Sequence, residues 1–100
     1  MLRSVRFDWD AETDAANQSK HGLSFNEAKE LFLAGVWYAE FFDERHVEPR
    51  SPRANVGPIA SGVIVVIYAI RKEDVIRIIS APYATDRETK RYQEERDRSL

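Results

Sequence analysis

Val63-Ile64-Val65-Val66-Ile67-Tyr68-Ala69-Ile70 is an uninterrupted uncharged run, and nothing else in the chain limits the fold as strongly. It is far too short to cross a bilayer as a helix. It also lacks the alternation of a strand with one wet face, so it predicts a strand buried on both sides at the centre of a sheet. Gly62 opens it. The charged turn Arg71-Lys72-Glu73-Asp74 follows, and then Val75-Ile76-Arg77-Ile78-Ile79-Ser80-Ala81, which predicts an antiparallel hairpin. Along the second strand Val75, Arg77 and Ile79 share one face, while Ile76, Ile78 and Ser80 take the other. Arg77 therefore rises among aliphatics and needs an anion, either a carboxylate such as Glu88 or Asp86 or the phosphate of a ligand.

The other elements follow from local signals. Val5 to Trp9 alternates and predicts a short strand with Val5, Phe7 and Trp9 on one face. Asp10 stands as the N-cap of a helix over 11–21, with Glu12 and Asp14 early, Lys20 and His21 late, and Gly22 as the C′ residue. Ser24 and Glu27 have capping-box spacing, which predicts a second helix from Phe25 to about Ala34, ended by Gly35. Val36 to Phe42 predicts a strand, and residues 43–53 a charged, proline-bearing loop. Residues 54–57 can pair briefly before Pro58 interrupts them. Thr85 and Glu88 form another capping box and start a last helix over Asp86 to Arg98, whose only large apolar residue is Tyr92. Such a polar helix needs an anchor: an ion pair such as Glu88 with Arg91, Tyr92 packed on the sheet, or a second protein chain.

Composition excludes several classes. The absence of cysteine removes disulfides, thiol nucleophiles and thiolate zinc sites. Two histidines without a His-Glu-x-x-His motif argue against a metal, and no Gly-x-Ser-x-Gly is present. No signal peptide or membrane span is visible, so a single cytoplasmic domain over residues 1–100 with no cofactor and no membrane partner is expected. Fifteen Lys and Arg against seventeen Asp and Glu leave a net charge of −2, so nucleic-acid binding cannot rest on overall charge. Only residues 51–100 lean basic.

Phe7-x-Trp9-Asp10, Ala16-Asn17-x-x-Lys20-His21-Gly22-x-Ser24-Phe25-x-Glu27-Ala28, Asp43-x-Arg45-His46, Ile76-Arg77-Ile78-Ile79-Ser80-Ala81 and Ala84-x-x-x-Glu88-x-x-x-Tyr92 together resemble the BrnT family. The resemblance spans nearly the whole chain. It implies a RelE-like α+β fold, with a mainly antiparallel central sheet, two N-terminal helices packed on it and a C-terminal helix. It also implies a ribonuclease toxin of a type II toxin–antitoxin pair, cleaving RNA without a metal. The expected partners are an RNA substrate and a BrnA-like ribbon-helix-helix antitoxin, with operator DNA reached only through the antitoxin. Two departures stand out: Pro82 follows Ser80-Ala81 where the family usually has arginine, and Val63 follows Gly62 where it usually has another. A second reading is therefore an antitoxin-binding module, weakened or inactive in cleavage, that acts in operon autoregulation.

Metal-free RNA cleavage must deprotonate a 2′-hydroxyl, stabilise charge on phosphoryl oxygens and protonate the leaving 5′-oxygen. Arg77 suits the second task, because its planar fork can hold two phosphate oxygens. Glu88, His21 and His46 are candidates for moving protons, with Tyr92 one turn beyond Glu88. Lys20, Arg45, Arg53 and Arg71 can contribute charge for RNA, and Trp9 or Tyr83 can stack on a base. Structural duties compete for several of these: a helix cap for Glu88, a helix terminus for His21, the core for Trp9, and an internal carboxylate for Arg77. The last helix or the loop from Asp43 to Pro52 is expected to meet the antitoxin.

Overall fold

A computed structural model describes residues 5–42 and 52–99. Its centre is a five-stranded sheet built from β1 (Arg6–Asp8), β2 (Ala39–Phe42), β3 (Arg53–Ile59), β4 (Gly62–Arg71) and β5 (Val75–Ser80). The spatial order is β1-β5-β4-β3-β2, so the apolar octet lies in the middle strand, as its composition requires. β4 and β5 form the expected antiparallel hairpin, closed by a 3-10 turn over Lys72–Asp74. The remaining pairs are antiparallel except β1 with β5, where Arg6, Phe7 and Asp8 run parallel to Val75, Ile76 and Arg77.

Three helical segments cover one face. α1 (Ala11–His21) starts at Asp10, whose Oδ2 accepts from the Thr13 N–H at 3.2 Å, and ends at Gly22 in the left-handed conformation at φ 71°. Only glycine takes that conformation without a steric cost, so it stops the helix where the sequence predicts. The second helix differs from its expectation. It is split at Lys29 into α2 (Phe25–Ala28) and α3 (Glu30–Leu33), which lets Phe25, Ala28 and Leu31 all reach full burial. They pack with Leu23, Ile64, Val66, Tyr68, Ile78 and Ala81 to make the larger core. Phe7, Trp9, Phe32 and Tyr38 close its margin with aromatic contacts such as Phe32 to Tyr68 at 5.2 Å.

α4 (Asp86–Arg98) lies on the opposite face, over β2 and β3. Its anchor is Tyr92, 4% exposed, which packs with Ala39, Val56 and Val65. The Tyr92 hydroxyl donates to the Trp37 carbonyl at 3.2 Å, and the two rings lie 5.6 Å apart. That duty explains why the expected strand over 36–42 shortens to Ala39–Phe42: Trp37 serves the helix instead of a ladder.

β3 is longer than its proline suggests. It runs through Pro58, paired opposite Val63. β2 pairs only as far as Val56, so beyond it β3 has a neighbour on one side and tolerates a residue without an N–H. The expected first strand also contracts, to Arg6–Asp8, and Val5 is exposed. Among the described residues no helix is long and apolar enough to cross a membrane.

Candidate functional site

Because α4 rests over β2, β3 and the Val63–Ile67 part of β4, it leaves uncovered the part of that sheet face made by β1, β5 and the Ala69–Arg71 end of β4. Register decides what that half displays. Arg6, Val75 and Arg71 lie side by side across the three strands, and the next row on the same face is Asp8, Arg77 and Ala69. With strands about 4.8 Å apart, Arg6 and Arg71 bracket the row at roughly 10 Å, and Arg77 stands between them and one step along. A depression of about 680 Å³ opens there, lined by Asp8, Ala69, Ile70, Arg71, Lys72 and Val75.

Arg77 is not buried in the way its apolar flanks suggest. Its side chain is 29% exposed, and its Nη1 donates to Oδ2 of Asp8 at 2.7 Å. Among the described residues Asp8 is its one hydrogen-bond acceptor, so the partner is neither Glu88 nor Asp86. The contact is a single one and leaves Nε and Nη2 without a described acceptor.

The other candidates disperse. Glu88 completes the α4 capping box, accepting from the Thr85 N–H at 2.9 Å while its own N–H donates to Thr85 Oγ1 at 3.1 Å. It lines a separate cavity of about 140 Å³ with Phe41, Ala54, Val56, Val65 and Arg91, whose guanidinium sits 4.2 Å from the Phe41 ring centre. Val65 is four residues along β4 from Ala69, the neighbour of Arg77, so Glu88 faces a different part of the sheet from the depression beside the arginine. Tyr92 is the buried anchor of α4. Lys20 and His21 sit in the last turn of α1, in the helix layer of the other face. Trp9 packs edge-on to Phe25 at 6.1 Å. Tyr83 is 39% exposed and donates to Ser61 Oγ at 2.9 Å. Arg53 approaches Glu40 at 3.6 Å. Of the sequence-derived candidates, Arg71 lines the open depression and Arg77 adjoins it, between the lining residues Asp8 and Ala69. Arg45, His46 and the loop from Asp43 to Ser51 lie outside the described residues.

Two neighbours escape a reading of the sequence as separate motifs. Asp8 had a local signal: with Phe7 and Trp9 turned to the core, alternation sends it to the face of Arg77. Its parallel pairing with β5 had none. Asn17, 6% exposed, uses its carboxamide to join the end of β5 to the loop after α1: Nδ2 donates to the carbonyls of Leu23 at 2.8 Å and Ala81 at 3.0 Å.

A second polar group lies under the sheet. Tyr68 Oη is 3.2 Å from Oε2 of Glu40 and 3.1 Å from Oδ1 of the fully buried Asn55. Burial and then the Glu40 carboxylate push the phenol above its usual range, so it stays protonated at any ordinary pH. Among the described residues Asn55 Nδ2 has no partner. Turning the amide over would let Nδ2 donate to Tyr68 Oη and Tyr68 donate to Glu40, a continuous chain of the kind such networks adopt. Among the described residues no three His, Cys, Asp or Glu gather as metal ligands.

Residues 9–88 match the family model of the ribonuclease toxin BrnT of type II toxin–antitoxin systems. The fold resembles the crystal structure of the Brucella abortus ribonuclease toxin BrnT, with a TM-score of 0.65 and 20% sequence identity, covering 83% of this chain and 100% of that one. No curated protein sequence matches.

Proposed function

The chain belongs to the BrnT family of ribonuclease toxins of type II toxin–antitoxin systems, and from that premise we propose that it cleaves RNA without a metal, by 2′-hydroxyl attack, on the open half-sheet around Arg77. One observation carries this reading: Arg77 stands on a strand flanked on both sides, facing an open surface that also presents Arg71 and Lys72. In the reaction the guanidinium takes the phosphoryl oxygens on which negative charge grows, and the strand keeps it in place for that moment. Arg71 and Lys72 hold flanking phosphates. His46, Arg45 and the other candidates named from the sequence complete the list of groups to be tested by substitution.

The partners follow from the same reading. A BrnA-like ribbon-helix-helix antitoxin neutralises the protein and brings it to operator DNA, and the work is done in the cytoplasm. The exposed side of α4, with Lys90, Gln93 and Glu94, is the surface offered to that antitoxin.

The weakened-module reading also has support. Val63, where the family usually has arginine, packs in the α4 core, and the carbonyl of Pro82 is held by the Val65 N–H at 2.9 Å. Neither position supplies a cation. Induced expression without antitoxin separates the two readings. Growth arrest with RNA degradation, relieved by Arg77→Ala in a folded protein, supports the enzyme; normal growth and intact RNA at good expression support the module.

A further inference from the structure

The geometry points to Asp8 as the proton acceptor of this cleavage, an inference that rests on the ribonuclease reading just given. The chemistry needs a base beside the phosphate-binding arginine. Of the described residues lining the depression, Ala69, Ile70 and Val75 have no titratable side chain and Arg71 and Lys72 are cations, which leaves Asp8 among them. Glu88 is fastened to Thr85 beyond β4, and His21 belongs to the helix layer on the other face. Asp8 touches Arg77 at 2.7 Å, so a phosphate held by Arg77 brings the adjoining ribose within reach of the carboxylate.

The pair is poorly explained as a staple. Asp8 is 51% exposed and the contact uses one nitrogen and one oxygen, an arrangement that adds little to stability. It suits a working pair better. A carboxylate has two oxygens and about four lone-pair sites, so holding Arg77 does not exhaust it. The charged groups placed around it are Arg77 from β5, Arg71 and Lys72 across the depression and Arg6 on its own strand.

In the step itself the 2′-O–H bond breaks and its proton passes to Asp8. The 2′-oxygen forms a bond to phosphorus as the bond from phosphorus to the 5′-oxygen breaks, giving a 2′,3′-cyclic phosphate. Water donates a proton to the departing 5′-oxygen, and Asp8 returns its own to solvent.

Asp8→Asn is the decisive variant, because its amide oxygen can still accept from Arg77 but cannot take the proton. Steady-state cleavage of a short RNA near neutral pH should show kcat lowered roughly 10²- to 10⁴-fold with KM nearly unchanged. Asp8→Glu should recover most of kcat, and it decides the matter if the asparagine variant does not fold. Activity of Asp8→Asn within about threefold of the parent, or no recovery in folded Asp8→Glu, overturns the inference. Arg77→Ala separates the two failures. If the parent cleaves and Arg77→Ala does not, an active Asp8→Asn removes only the role of Asp8; if the parent does not cleave, the ribonuclease reading falls and this inference with it.

Discussion

Asn17 grips Ala81 by both sides of its backbone, donating from Nδ2 to the Ala81 carbonyl and accepting the Ala81 N–H on Oδ1, each at 3.0 Å. A third bond, to the Leu23 carbonyl, ties the same side chain to the turn after α1. The two most distinctive stretches of the sequence, Asn17-x-x-Lys20-His21-Gly22 and Arg77-Ile78-Ile79-Ser80-Ala81, are therefore the two halves of one joint. It fixes the end of the strand that carries Arg77.

Asn17→Ala leaves the N–H of Ala81 and two carbonyls to find other partners in a buried place. A loss on the order of 3 kcal/mol is expected. Urea unfolding measures it, and a loss below about 1 kcal/mol would mean that water replaces the amide well.

Tyr92→Ala should detach α4. It removes the one large apolar group of the helix from a closed site, at about 3–5 kcal/mol, whereas Tyr92→Phe loses the Trp37 bond at about 1 kcal/mol. Hydrogen exchange across residues 86–98 distinguishes local detachment from global unfolding.

Gly57→Ala should destabilise although φ is ordinary there. A Cβ would stand 2.6 Å from Leu31 Cδ1 and 3.0 Å from Tyr38 Cβ, so the helix layer has to shift, at about 1–3 kcal/mol. Leu31→Ala in the same chain should relieve the clash, which a double-mutant cycle reads as coupling.

Tyr68 should give stability a dependence on alkaline pH. Its folded pKa lies above the ordinary value of 10.0, so near that pH the unfolded chain loses the proton first. The contribution is complete below about pH 10 and is lost as pH rises towards the folded value. Denaturation followed from neutral pH to about pH 11 should show the decline, and Tyr68→Phe should flatten it.

Arg71→Ala should weaken RNA binding evenly across sequences. If Arg71 neutralises one phosphate, the slope of log K against log salt falls by about one. An unchanged slope would place the RNA elsewhere.

The sheet was largely legible because its evidence is local. The octet from Val63 to Ile70, the charged turn after it, and the caps at Asp10, Ser24 and Thr85 all formed as their patterns require. What escaped depended on neighbours distant in the chain. Pro58 looked like a breaker until the short reach of β2 made its missing N–H harmless. Trp37 left its strand because Tyr92 needed a carbonyl. At the site the same division holds: Arg77 stood out by its apolar flanks, but its true partner could not be read, since Asp8 meets it only through a parallel pairing. Glu88 fitted a helix cap ahead of chemistry by its spacing from Thr85, and its side chain does accept from the Thr85 N–H.

The parallel pairing of β1 with β5 also sets when the site can exist during synthesis. Asp8 and Arg77 are 69 positions apart, and every other strand is made between them. At roughly 5–20 residues per second, β1 waits for several seconds before its neighbour is made. Until then the ribosome carries a hairpin in formation and an unpaired N-terminal strand, with no face on which the two side chains can meet. Assembly of the arginine–aspartate pair is thus a late event in the life of each new chain, governed by contacts of long sequence separation and hence by the slow part of folding.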